Sequence, residues 1–148
     1  MVISESLVAL DLKSKDKLDI IKELGHLAYS SGKIKSIDKY IDSVLKREEE
    51  FSTAIGYSIA IPHGKSDQVV EPFIVFGRVS EQVEWDKDDD KEVKLIFLIG
   101  VPLAQSGDVH LKILANISRE LMDEEFRKEL MDAPGVKEVC STLKAIAL

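Results

Sequence analysis

The sequence predicts an α/β sandwich, a central mixed β-sheet of about five strands flanked by helices on both faces. Three observations lead there. Residues 93–100, Val-Lys-Leu-Ile-Phe-Leu-Ile-Gly, are an almost unbroken apolar run, the mark of a central strand covered on both sides. Apolar residues recur at helical spacing before residue 51 and again after residue 107. Between these lies a segment with the period of a strand, in which Ile55, Tyr57, Ile59 and Ile61 occupy alternate positions. A chain of 148 residues fits a single domain over 1–148 and can bury roughly two thirds of its unfolded surface without staples.

The first helix is expected to be capped by Ser14 and to end before Gly32, with Leu18, Ile21, Leu24, Gly25 and Ala28 on its apolar stripe and His26 turned outward. Ser36 caps a second, carrying Ile37, Ile41, Val44, Leu45 and Glu48 on one side and ending near Glu50, with Arg47 at the edge of that side. The alternating segment follows, and Pro62 removes a ladder donor, so the strand is expected to end at His63. Gly64, lacking a Cβ, leaves room for a bulky group or an anion to approach the backbone beside the imidazole. Residues 73–79 predict another strand after Pro72. Residues 84–92 are rich in acidic side chains and read as a solvated connection. A calcium loop started at Asp86 would need glycine and glutamate where Lys91 and Phe97 stand.

Asp108 is the expected cap of a third long helix, with Leu111, Leu114, Ile117, Ser118 and Leu121 on one face. Two shorter helices, 124–131 and 136–147, are separated by Ala133-Pro134-Gly135. Cys140, the only cysteine, shares a face with Val136, Val139 and Leu143 and reads as a buried thiol, and a single cysteine excludes a disulfide framework.

A formal charge of -7 without a basic, aromatic-rich face argues against nucleic acid. The first residues lack a basic region followed by an apolar core, and no window approaches membrane-spanning length, so a cytoplasmic protein with no direct membrane insertion is expected.

His63 and His110 are the candidate chemical groups. A Pro-His-Gly turn on its own is more often a plain polar loop. His110 lies on the stripe of Leu114, Ile117 and Leu121 but in the first helical turn, where the dipole disfavours imidazolium. A neutral ring among free amides suits phosphate, and a partly buried histidine bonded to a carbonyl is the alternative. Strand ends and helix starts meet at one edge of α/β sheets, so the two rings can converge. A metal site would need Asp67 or Asp108 as third ligand and is not favoured.

The stretch from Lys46-Arg47-Glu48 through Ser52-Thr53-Ala54-Ile55-Gly56, then Ile59-Ala60-Ile61-Pro62-His63-Gly64, Trp85, the 93–99 run and His110-Leu111 resembles the enzyme IIA (EIIA) domain of the phosphoenolpyruvate-dependent sugar phosphotransferase system, fructose/mannitol class. The resemblance covers nearly the whole chain, and one departure is Ser58, where the family usually carries glycine. It implies that His63 accepts a phosphoryl group from the phosphocarrier protein HPr and passes it to a cysteine of an enzyme IIB (EIIB) partner. It further implies that His110 stabilises the phosphoryl oxygens, Arg47 supplies positive charge and Thr53 hydrogen-bonds within the site. In the family Nε2 usually takes the phosphoryl group while a backbone group holds Nδ1. No cofactor, metal or nucleotide is implied, and EIIB and the membrane component EIIC are expected to be separate proteins. A nitrogen-type regulatory IIA module, whose phosphorylation state controls protein targets, fits the same motif.

Overall fold

The computed structural model describes residues 3–86, 89–105, 107–144 and 146. The apolar run of residues 93–100 forms the middle of β6 (Asp89–Pro102), and the sheet is organised around it. The described residues give six strands: β1 (Val8–Leu12), β2 (Ala54–Gly56), β3 (Ile59–Ala60), β4 (His63–Ser66), β5 (Phe73–Asp86) and β6. Their lateral order is β1-β5-β6-β3-β2, with β4 also paired to β6. The β5–β6 pair is antiparallel, whereas β1 on β5 and both β3 and β4 on β6 are parallel, so the sheet is mixed as expected.

Adjacent positions on a strand face opposite sides, and that alternation builds two apolar layers. Phe73, Val75, Ile96 and Leu98 pack with α1 (Lys17–Ser30) and α2 (Ile37–Glu50). Ile74, Phe76, Leu95, Phe97 and Ile99 pack with α3 (Asp108–Leu121), α4 (Glu124–Asp132) and α5 (Val136–Leu143). Cys140 is buried in the second layer beside Val139 and Leu143. No described helix is long and apolar enough to cross a membrane.

The alternating segment is not one strand. Gly56, Tyr57 and Ser58 all have positive φ, at 95°, 56° and 64°, and they turn the chain back on itself between β2 and β3. Ile55 and Tyr57 are consequently exposed while Ile59 is buried. Left-handed backbone is costly for a residue with a Cβ, which gives Ser58 a physical meaning at a position where glycine is the relaxed choice. Nor does the chain end its pairing at His63. The register Ile59↔Leu95 and Ala60↔Ile96 resumes unshifted at His63↔Ile99. Between these pairs Pro62 has no N–H to give β6, while the Ile61 N–H faces the other way and donates to the Thr53 carbonyl (3.0 Å) beside the Ala54↔Ala60 pair.

Residues 84–86 and 89–92 are strand rather than solvated loop, with Val83 and Trp85 buried on alternate positions; Lys87 and Asp88 lie outside the described residues. Strand β1 was not foreseen, since its five residues include Asp11 at φ 59° and break register between Ala9 and Leu12. Helix α1 is capped by Asp16, whose carboxylate accepts from the Asp19 N–H (2.9 Å), not by Ser14. Its fully buried set includes Ile20, while Leu18 is exposed. Helix α3 is capped by Gly107 rather than Asp108, and Ile113 takes the buried position assigned to Leu111. Choosing between neighbouring apolar residues requires the docking direction of the helix, which periodicity alone leaves open. Helix α4 ends at Asp132 and α5 at Leu143; the expected end of the latter at Ala147 lies outside the described residues.

What approaches Gly64 is helix α2. A Cβ there would collide with Ser43 Oγ and stand 3.0 Å from Val44 Cγ2 and 3.2 Å from the Val44 amide nitrogen. Gly64→Ala is therefore expected to lower stability by about 1–3 kcal/mol in urea unfolding, and adding Ser43→Ala to recover part of that loss. An unchanged midpoint would show that α2 does not need this close approach.

Candidate functional site

His63 opens β4 and is held there by two neighbours. The ladder bond from the Ile99 N–H to the Pro62 carbonyl (3.0 Å) fixes the backbone just before it. Its ring Nδ1 lies 2.8 Å from the Ile61 carbonyl. A carbonyl only accepts, so Nδ1 carries the proton, and in the neutral ring Nε2 keeps its lone pair. Nε2 is thereby the ring nitrogen able to act as a nucleophile.

His110 reaches the same place from the other layer. It sits in the first turn of α3, and the two ring centroids are 4.9 Å apart at an interplanar angle of 49°. His110 Nε2 is buried with no hydrogen-bond partner among the described residues. Burial lowers the His63 pKa below the usual imidazole value, with the charges of Arg47 and Lys65 adding to the effect and the Ile61 carbonyl and Glu48 opposing it. Burial lowers that of His110 further, to about 4, helped by His63, Lys65 and Arg47. Both rings are neutral near pH 7.

They line a cleft of about 380 Å³ together with Ser43, Lys46, Arg47, Glu50, Gly64 and Lys65. Lys46, Arg47 and Lys65 outweigh Glu50, so the cleft is locally positive on a chain of charge -7. Arg47 is steadied by donating from Nη1 to the Phe51 carbonyl (2.9 Å). Bare nitrogen, neutral neighbour and surrounding cations together form a site that can bind an anionic group and bond to it covalently.

Comparison with known proteins gives the family. The family model of the phosphoenolpyruvate-dependent sugar phosphotransferase system, EIIA 2, matches residues 1–146. The chain belongs to that family. The fructose-specific EIIA component of Haloferax volcanii is 38% identical over 140 residues, spanning 95% of this chain and 90% of that one. The fructose-specific EIIABC component of Bacillus subtilis is 34% identical over 132 residues, 89% of this chain and 21% of the relative. Among solved structures, nitrogen regulatory protein IIA-Ntr from Neisseria meningitidis superposes with a TM-score of 0.87 at 30% identity, covering 96% of each chain.

Of the residues expected in the site of this EIIA 2 chain, His63, His110 and Arg47 converge on the cleft. Thr53 does not line it. Thr53 is buried behind it, with its hydroxyl donating to the Glu48 carboxylate and its carbonyl accepting from Ile61. His26 is exposed on α1, away from the cleft. Among the described residues no third His, Cys, Asp or Glu joins the two histidines in a metal-sized cluster. Lys65 and Glu48 were given no role in advance. Lys65 directly follows the His-Gly pair on β4, and Glu48 was a charge on the apolar side of a helix, which is itself a signal.

The depressed pKa values fix the sign of a pH effect. Between the ordinary imidazole value of 6.5 and about 4 the unfolded chain binds a proton that folded His110 does not, so stability falls as pH drops through that window. Urea unfolding of His110→Asn is expected to show a shallower decline there than wild type. Lys65→Gln should raise both imidazole pKa values in an NMR titration, and unmoved values would remove Lys65 from the site's electrostatics.

Proposed function

We propose that this chain is a cytoplasmic phosphocarrier in which His63 accepts a phosphoryl group from phospho-HPr and passes it to a cysteine of an EIIB partner, which serves the membrane component EIIC in sugar uptake. The observation that carries this reading is the pinned Nδ1 of His63, which leaves Nε2 with its lone pair beside neutral His110 and the cations of the cleft.

In the first transfer the Nε2 lone pair attacks phosphorus in line with the donor bond. The new N–P bond forms as the old one breaks, and HPr keeps that electron pair. The proton on Nδ1 stays hydrogen-bonded to the Ile61 carbonyl, whose dipole stabilises the positive charge that the ring takes on. In the second transfer a cysteine thiolate of EIIB attacks, an S–P bond forms and Nε2 recovers its lone pair. Such transfers depend on alignment and on charge stabilisation at the three equatorial oxygens. Arg47 and Lys65 supply positive charge for those oxygens, and the His110 ring supplies a nitrogen that has no partner to give up among the described residues. The relationship to a fructose-specific EIIA component supports the transport role.

A second reading has its own support in the likeness to a nitrogen regulatory protein. There the phosphorylated and free forms differ in their binding to target proteins and no sugar is moved. Reconstitution with EIIB and EIIC distinguishes the two, because only a transport component sustains sugar phosphorylation.

Incubation with phosphoenolpyruvate, enzyme I and HPr is expected to add one acid-labile phosphoryl group per chain, and His63→Ala to abolish the labelling. Label retained in that variant would exclude His63 as the acceptor. His110→Ala is expected to fold and to slow onward transfer to EIIB more than uptake from HPr; unchanged rates in both directions would remove it from the transfer.

A further inference from the structure

Glu48 stands on the buried side of α2 with 7% of its surface exposed. A carboxylate in that position is costly unless its oxygens are bonded. Oε1 accepts from the Thr53 hydroxyl, and Oε2 lies 3.4 Å from the Thr53 amide N–H and 3.6 Å from Lys17 Nζ. Lys17 also pairs with Asp86 at the end of β5. The carboxylate therefore clamps the backbone and side chain of one residue, and its own position is steadied by a cation from the start of α1.

Thr53 extends the chain of contacts toward the cleft. Its carbonyl accepts the Ile61 N–H at 3.0 Å, in the short stretch where Pro62 interrupts pairing with β6. The Ile61 carbonyl then accepts the Nδ1–H of His63 at 2.8 Å. The bond from the Ile61 N–H to Thr53 continues the β2–β3 pairing beyond Ala54↔Ala60, and among the described residues Ile61 itself makes no bond to β6, so on the N-terminal side of its carbonyl Ile61 depends on Thr53 for its place.

We propose that Glu48 is a positioning residue for His63: by clamping Thr53 it keeps the Ile61 carbonyl where it holds the Nδ1 proton, and so keeps Nε2 free to react. Without the clamp, Thr53 and Ile61 move together, and the imidazole gains access to the tautomer protonated on Nε2, which has no lone pair to offer. The consequence for transfer rests on His63 being the phosphoryl acceptor; the consequence for the tautomer does not.

Long-range proton–nitrogen NMR of the His63 ring reads the tautomer directly. Wild type is expected to show a protonated Nδ1 and a bare Nε2. In Glu48→Ala, and in Thr53→Val, which removes the hydroxyl donor at similar volume, the two nitrogen shifts should move toward each other. The initial rate of phosphoryl uptake from phospho-HPr should fall on the order of 10- to 100-fold, with the end-point stoichiometry unchanged. Glu48→Gln keeps an acceptor for the hydroxyl and Thr53→Ser keeps both donors, so each should restore the wild-type ring shifts and most of the rate. Wild-type shifts in Glu48→Ala and Thr53→Val overturn the proposal, as does a Glu48→Gln variant whose shifts match those of Glu48→Ala. Should Glu48→Ala fail to fold, Thr53→Val decides the question. Should wild type take up no phosphoryl group, the acceptor reading fails while the ring shifts still decide the positioning role.

Discussion

Because the Ile61 carbonyl can only accept, its 2.8 Å contact with His63 Nδ1 decides which ring nitrogen keeps a lone pair, and the surrounding structure acts to hold that one contact. The bond joins residues only two apart, at the point where Pro62 withdraws a donor from the sheet. On either side of Pro62 the parallel pairing with β6 keeps one register, so the missing donor leaves His63 in line with the strand. Helix α2 closes over the next residue at a distance that only glycine permits, which brings Arg47 of the same helix to the cleft. A local departure from sheet geometry is thus framed by regular elements that do not share in it.

The electrostatics follow from the same burial. Two imidazoles with centroids 4.9 Å apart, both removed from water, are poorly placed to carry charge together, and the neighbouring lysine and arginine push them further toward neutrality. Neutral rings are what nitrogen nucleophilicity requires, and the cations that enforce neutrality are the groups that attract an anionic oxygen. One set of charges serves both ends. The overall acidity of the chain says little about this, since the positive cleft is a local feature built where α2 meets β4.

Elements with long, regular periodicity were legible in advance. Helix α2 and the centre of β6 stand where their patterns put them, because a stripe or a continuous apolar run is a property of many residues and tolerates local exceptions. Short elements behaved differently. Ile55, Tyr57, Ile59 and Ile61 alternate as a single strand would, yet two left-handed residues with side chains, Tyr57 and Ser58, fold the segment into a hairpin. Gly56 is a turn signal, but Tyr57 is not, and neither side-chain-bearing residue is of a type that favours positive φ. Residues 84–92 looked like loop because of their charges, although a strand pair with one solvated face accommodates charges on alternate positions while burying Val83 and Trp85.

By itself the sequence determined the α/β layering, the candidacy of His63 and His110 and, through the family resemblance, that of Arg47, because period, spacing and motif are written along the chain. Only the tertiary structure decided that Thr53 turns toward Glu48 instead of lining the cleft, that Gly64 makes room for α2, and which His63 nitrogen is bare. Those outcomes depend on contacts between elements distant in sequence and on hydrogen-bond directions at single atoms, and residue order does not encode either one locally.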